Sequence, residues 1–429
     1  MTVAVVPSST FDRISRPLIR ALQWWVSGRA LATSRVEITV IGELKHYQGR
    51  EQAYVKHFLL SEYLESWAHK VASTWDEVAY VDGFSGPWQN SDEHFSDTSF
   101  GIALKALTKA KASWRAHGRN VRMTAYLVEK NPAAYANLRA ATANFPEVEI
   151  KTYPGSFIDQ APTILRDIPS RAFAFLFIDP KGWRIDMRRI AELLRRPNTE
   201  VVFNFMFDFI NRAASIQAPG VAASLDELII DPTWRDRLIE PRPAGVTEAE
   251  HRKTVLVDAF AATLGQLGRY PYVAETTVLR PLKDRPLYCL VYATRKPKGI
   301  EVFRGCQVKA LQQQDLIRGV TKLNVAAAAR DQTEMFGSFS EMAPDPSAAF
   351  LADEARLAGQ LLHALVPPAP GAAMWGDLWP KVLKRHVVTL TQVKQHAKDF
   401  KKAGAVTFLD WAPKQQVPGD QDRLNRPLA

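Results

Sequence analysis

The chain has 429 residues, too many for one small core, so two or three folding units are expected. Hydrophobic residues make up 46% and charged residues 23%, which excludes a largely disordered chain, and a formal charge of +10 favours an anionic partner such as nucleic acid over an acidic one. Cys289 and Cys306 are its only cysteines, which excludes a disulfide framework or a cysteine metal site and fits a reducing cytoplasm.

The N-terminal residues lack the basic start and apolar run of a signal peptide, and no run reaches the ~18 apolar residues of a membrane span. Residues 1–44 read as an N-terminal extension. Within it "RPLIRALQWWV" is a short amphipathic segment that packs on the main domain or lies on a membrane surface.

Residues 51–74 place Tyr54, Val55, Phe58, Leu59, Tyr63, Trp67 and Val71 at helical spacing. A strand over Val78–Val81 follows. Then comes a helix opened by Thr98 or Ser99 and closed by Gly118. The rhythm continues with the strand "VRMTAYLVEK", the helix "PAAYANLRAATANF", the strand "VEIKTYP", the helix "IDQAPTILRDI" and the strand "AFAFLFIDP". "MRRIAELLRR" is a helix and "TEVVFNFMF" another buried strand. Continuous apolar strands separated by helices predict a doubly wound, Rossmann-like parallel sheet covered on both faces.

Residues 212–270 read as a helical insertion, after which "YVAETTVLRPLKDRPLYCLVYAT" predicts an antiparallel hairpin at the sheet edge. The α/β domain thus spans 45–311. Residues 312–350, polar and Ala-rich with weak periodicity, read as a connector, and 351–412 as three short helices and a strand forming a winged helix-turn-helix. In its third helix Val393, Ala397, Phe400 and Ala403 form one face. Lys394, Lys398, Lys401 and Lys402 lie on or beside the other, as a nucleic-acid-binding stripe, a solvated face or a protein-contact surface. Residues 413–429 read as a loose tail.

Ligands of such sheets sit beyond the carboxyl ends of the strands, so strand ends are the informative positions. The first ends in Asp82-Gly83-Phe84-Ser85-Gly86, either a ligand-approaching glycine turn or a plain corner with a capping Asp. The second ends in Glu129, placed to accept both hydroxyl hydrogens of a ribose. Ser156 and Phe157 follow the third strand, suited to the edge and face of an adenine. Asp179-Pro180 closes the fourth, at the mouth of the presumed cleft, where a carboxylate can serve as a base or accept from an amine. The separation of Asp82 and Glu129, 129 − 82 = 47, exceeds the roughly 20 of a compact dinucleotide fingerprint and disfavours a nicotinamide oxidoreductase.

Asp, Glu, Ser-Phe and Asp-Pro at these strand ends, in this order, resemble class I S-adenosylmethionine-dependent methyltransferases. "DGFSGPW" is similar to their first motif, with Trp88 at its last glycine, and "DPKG" resembles the D-P-P-Y motif of amino methyltransferases acting on nucleic acids. The run "KHFLLSEYLESW", "YVDGFSGPW", "LVEKNPAAYANL", "FIDPKGW", "FNFMFDFINR" and "PLYCLVYATRKPKG" resembles, over about residues 45–410, the bacterial three-Cys-motif partner proteins (TcmP).

The resemblance implies S-adenosylmethionine as cofactor, with Asp82, Gly83, Phe84 and Gly86 at its methionine end, Glu129 on its ribose and Ser156 and Phe157 at its adenine. Asp179 and Pro180 would face the substrate, an expected nucleic-acid base amine, and Trp183 would supply the missing aromatic of "DPKG". Lys56, His57, Asn204, Asn211 and Arg212 match further family segments. The implied partner is a three-cysteine-motif protein. A non-catalytic module that binds nucleic acid and a partner protein is the alternative.

Overall fold

The structure, a computed structural model, describes residues 44–86, 95–329 and 346–428. The amphipathic N-terminal segment, Trp88 and residues 330–345 of the expected connector lie outside them.

Seven strands form the central sheet in the order β3-β2-β1-β4-β5-β7-β6. They are β1 (Glu77–Asp82), β2 (Arg122–Glu129), β3 (Glu149–Pro154), β4 (Phe173–Ile178), β5 (Thr199–Phe205), β6 (Tyr272–Arg280) and β7 (Lys283–Thr294). The first five are parallel, and β7 runs antiparallel to both β5 and β6. This is a Rossmann-like, doubly wound sheet, with its reversed strand supplied by the late hairpin.

Pleating explains why the strands read as apolar throughout. Val78 and Tyr80 of β1 enter one core with Phe173, Phe175 and Phe177 of β4, while Ala79 and Val81 enter a second with Ala174, Leu176 and Ile178. Helices α1 (Glu51–Ala72), α2 (Ser99–Ala116) and α3 (Pro132–Thr142) cover the first face. Helices α4 (Phe157–Asp167) and α5 (Ala191–Arg195) cover the second, with α6 (Phe207–Ala213), α7 (Pro219–Leu228), α8 (Trp234–Ile239) and α9 (Glu248–Gly268) of the insertion. With helices on both faces, neither set of alternate residues meets water. Thr98 is the cap of α2, its hydroxyl accepting from Gly101 N at 3.2 Å.

The first half of the expected connector is helical. Helix α10 (Pro297–Ala329) runs into it along the edge strand β6, and its inner face is partly polar for a reason. Gln307 Nε2 donates to Glu275 O at 2.7 Å, Gln314 Oε1 accepts from Leu279 N at 2.8 Å and Arg318 Nε donates to Arg280 O at 3.1 Å. These buried side chains take up backbone groups that an edge strand would otherwise expose, so the helix caps the sheet without showing an apolar stripe.

Beyond residue 345 the order is α11 (Pro346–Leu365), β8 (Ala373–Met374), α12 (Trp375–Arg385), α13 (Leu390–Lys402), β9 (Thr407–Phe408) and β10 (Arg423–Asn425). The short strands pair antiparallel as β8-β10-β9. The expectation of a loose tail from Pro413 is therefore corrected: that segment folds back to supply the central strand, and Leu424 is buried in the core. A three-residue strand with one inward side chain leaves no periodic trace in the sequence. Among the described residues no helix is long and apolar enough to cross a membrane.

Candidate active site

The carboxyl ends of β1 to β5 open on one cleft of about 820 Å³, a volume in the range of small-molecule sites. Gly83, Phe84 and Gly86 after β1, Glu129 ending β2, Ser156 and Phe157 after β3, and Asp179, Pro180 and Trp183 after β4 all line it. Sequence-distant residues are thus brought together by the parallel order of the strands.

Asp82 is the exception among the expected cofactor residues, because it lies beneath the cleft and not on its wall. It is fully buried. Its Oδ1 accepts from Phe84 N at 3.0 Å, and its Oδ2 accepts from Ser99 Oγ at 2.7 Å and Tyr80 Oη at 3.1 Å. It fixes the turn and ties that turn to the start of α2. Burial pushes the carboxyl up to about 6, against the hydrogen bonds from Ser99 and the Phe84 amide, and the Asp179 charge adds to the rise.

Gly83 is needed for close approach and not for an unusual backbone angle. A Cβ there would stand 2.9 Å from Cγ of Phe157, whose ring is 2% exposed and wedged under the turn. Phe157 and Phe84 meet at 6.0 Å between ring centres. Ser156 caps α4: its Oγ accepts from Asp159 N at 3.3 Å and donates to Asp159 Oδ2 at 2.6 Å. Gly155 before it has φ +114°, a conformation that glycine adopts without strain. Glu129 is 5% exposed and accepts from Asn131 N at 2.6 Å through Oε1, which orients the carboxylate at the cleft wall.

At the end of β4 the cleft wall centres on Asp179. Lys56 Nζ donates to its Oδ2 at 2.5 Å and Asn204 Nδ2 to its Oδ1 at 2.5 Å. The same ammonium lies 6.0 Å from the Tyr288 ring centre, and Tyr288 also lines the cleft. Because Asn204 Nδ2 is committed to a carboxylate, its amide orientation is fixed. Its Oδ1 is then a buried acceptor with no partner among the described residues, a placement costing about 1–3 kcal/mol if nothing binds.

His57 lines the wall next to Lys56, with Nδ1 3.0 Å from Tyr47 Oη. Burial holds this imidazole well below its ordinary range, and the Lys56 and Arg50 charges push the same way. Trp183 is pinned by an Nε1 hydrogen bond to Ser224 Oγ of α7 at 2.9 Å. Lys181 is held below its usual value by partial burial, while Glu129 and Asp179 pull it upward.

Two residues that matched the family segments lie elsewhere. Asn211 Oδ1 accepts from Arg252 Nε at 2.7 Å and joins α6 to α9, and Arg212 pairs with Asp208 at 3.0 Å. Conversely, Arg50, Phe209, Leu287 and Tyr288 line the cleft without having been singled out. Lys56 had a readable signal, since Lys56, Leu60 and Tyr63 at i, i+4 and i+7 share one helix face and a lysine interrupts that stripe. Among the described residues no cluster of His, Cys, Asp and Glu is arranged to hold a metal ion.

No protein-family model matches the chain. No curated protein matches it in sequence. The fold has distant likenesses among solved structures. One is a Legionella pneumophila protein of family model DUF519, at 12% identity over 58% of this chain and 89% of that one, TM-score 0.34. Another is precorrin-6y C5,15-methyltransferase from Geobacter metallireducens, at 13% over 54% and 87%, TM-score 0.27. A third is TYW2 of M. jannaschii in complex with AdoMet, at 10% over 53% and 73%, TM-score 0.25. No residue role is carried over from them.

Proposed function

We propose that the protein is an S-adenosylmethionine-dependent methyltransferase whose acceptor is an amine on a nucleic-acid base. The observation that carries this reading is the meeting, in one cleft, of a ribose-competent carboxylate at Glu129 with an amine-competent set at Asp179, Pro180 and Asn204.

The residues present fit the cofactor. Glu129 would accept from the ribose hydroxyls, Phe157 and Ser156 would border the adenine, and the Gly83-to-Gly86 turn would pass the methionine end. Asp82 supports that turn from below. The cofactor supplies an electrophilic methyl on a sulfonium for in-line displacement, for which alignment of donor and acceptor provides much of the rate.

The chain's own part is to hold the acceptor amine. One N–H would donate to the Asp179 carboxylate and another to the Pro180 carbonyl or to the unpartnered Asn204 Oδ1. Lys56 and Asn204 fix the Asp179 plane, and the carboxylate stabilises positive charge developing on nitrogen. Trp183 would stack on the base. A base reaching this recess must be single-stranded or flipped from its helix.

In the same reading the C-terminal unit is a winged helix, supported by its helix–strand–helix–helix–strand–strand order and antiparallel three-stranded sheet. Lys394, Lys398, Lys401 and Lys402 of α13 would add phosphate contacts, and a three-cysteine-motif protein would be the partner. Engagement of both Asp179 oxygens within the chain favours one second reading, a non-catalytic module that binds cofactor and nucleic acid without transfer.

Calorimetric titration with S-adenosylmethionine, on wild type and Glu129→Gln, tests the cofactor site. Tight binding weakened about tenfold in the variant is expected, and no binding by wild type sinks the enzyme reading. Transfer of labelled methyl to single-stranded DNA or RNA separates catalyst from module.

A further inference from the structure

Asp208, at the start of α6, is buried and surrounded by three arginines from separate places in the chain. Arg212 Nη2 lies 3.0 Å and Arg280 Nη2 2.9 Å from its Oδ2, and Arg285 Nη2 lies 3.8 Å from its Oδ1. The arginine side chains are 59%, 38% and 58% exposed, whereas that of Asp208 is 5% exposed. One carboxylate balances one of three guanidiniums, so this patch presents about two uncompensated positive charges to solvent. Arg212 sits on α6 itself, one turn from Asp208, so stapling α6 to the β6–β7 hairpin needs only the close pair with Arg280. Arg285, at 3.8 Å, exceeds that structural need.

The patch adjoins the cleft. Phe209, the residue after Asp208, lines the cleft mouth and is 41% exposed, with the Arg212 guanidinium 5.0 Å from its ring centre. Leu287, two residues beyond Arg285 on β7, lines the same mouth. An exposed ring flanked by forked cations joins the two contacts that an unpaired strand offers, a base face to stack and a phosphodiester to bind in bidentate fashion. Arginine is the residue type suited to that second contact.

We propose that the Arg212–Arg280–Arg285 cluster around Asp208 is the docking rim for the sugar-phosphate backbone of a single-stranded nucleic acid. Phe209 stacks the nucleotide next to the one that enters the cleft. Asp208 is the positioning residue that holds three like charges together. The assignment rests on the nucleic-acid reading of the cleft and extends it by giving the strand its entry.

The test is fluorescence anisotropy with an end-labelled 12-nucleotide single strand of mixed sequence, as DNA and as RNA, against the full-length protein over a salt series. Arg285→Gln is expected to bind about five- to tenfold more weakly at low salt and to lower the slope of log affinity against log salt by about one, with an unchanged melting temperature. Phe209→Ala is expected to weaken binding without changing that slope. Arg115→Gln, on an exposed arginine of α2 that pairs with Glu147, serves as the surface-charge control.

Equal affinity and slope for wild type, Arg285→Gln and Arg280→Gln, or no oligonucleotide binding at all, overturns the proposal. So does a matched duplex binding more tightly than the single strand. Titration of S-adenosylmethionine into the same variants reads the cofactor site separately: an Arg-dependent strand with no cofactor binding keeps the rim and removes the methyltransferase, and the converse removes the rim alone.

Discussion

Lys56 and Asp179 meet at 2.5 Å across 123 positions of sequence, joining the helix that precedes the sheet to the end of its fourth strand. The pair gives the candidate catalytic carboxylate a fixed orientation that an Asp-Pro corner alone would lack. Asp179→Asn is expected to lower methyl transfer by ~10²-fold or more while leaving cofactor affinity within a factor of about two. Lys56→Met removes the charge partner but not the carboxylate, and a loss of roughly tenfold in kcat, about 1.4 kcal/mol, is expected. Steady-state rates beside cofactor titrations of both variants check this. Parallel loss of cofactor affinity would place the pair in the donor half of the cleft instead.

Gly83 and Phe157 form a second pair whose spacing is legible only in three dimensions. Gly83→Ala drives a methyl group into the Phe157 ring, and because that ring is packed beneath the turn the strain falls on the cleft wall. A loss of about 1–3 kcal/mol in unfolding free energy is expected. The double variant Gly83→Ala with Phe157→Leu should recover part of it. Denaturant unfolding of wild type, Gly83→Ala, Phe157→Leu and the double variant measures the coupling, and additive effects would show that the residues do not press on each other.

The sequence made the sheet and the cleft legible to different depths. Strands such as "AFAFLFIDP" declare burial on both faces by unbroken apolarity, so order of elements and the strand ends bearing Glu129 and Asp179 followed from pattern alone. Asn204 stood in equally apolar surroundings, and an amide inside "VVFNFMF" marks a polar obligation without saying toward what. Its partner Asp179 directly follows a different strand, and only the register between β4 and β5 brings the two together. The helix over 297–329 escaped notice in its second half because Gln314 and Arg318 are buried through hydrogen bonds to the sheet edge, which periodicity of apolar residues does not detect.

That edge yields a prediction. Gln314→Leu is close in size and keeps the helix, but removes the side-chain acceptor of Leu279 N. An orphaned buried amide costs about 1–3 kcal/mol, and the variant is expected to unfold earlier by that amount. Hydrogen exchange of the Leu279 amide should accelerate over wild type. A variant as stable as wild type would mean that water reaches this edge.

Trp183 bridges the fourth strand end to α7 through Ser224, so its ring is held before any substrate arrives. Ser224→Ala removes the hydrogen bond and not the ring, and is expected to raise KM for the nucleic-acid substrate a few-fold with little change in kcat. Trp183→Ala removes the stacking face and is expected to depress both kcat and affinity for the base, by about 1–3 kcal/mol in binding. Unchanged rates in Trp183→Ala would show that the ring seals the insertion and takes no part in substrate binding.

Asp82 makes the stability depend on pH in a direction opposite to that of a carboxylate held by a salt bridge. Its ordinary value is 3.8 and burial raises it to about 6, so the folded state holds this proton more tightly than the unfolded chain. Its contribution to stability is full below pH 3.8 and is withdrawn as pH rises through 6. At about 1.4 kcal/mol per unit, the difference amounts to about 3 kcal/mol. Asp82→Asn keeps the shape and can keep the contacts, because the Ser99 and Tyr80 hydroxyls can accept from an amide as readily as they donate to a carboxylate. Because the unfolded carboxyl is already more than half ionised at pH 4, its stability relative to wild type should be about 2 kcal/mol greater at pH 7 than at pH 4. Urea titrations of both proteins between those limits measure that difference, and parallel pH profiles would mean that Asp82 binds its proton equally well in the folded and unfolded states.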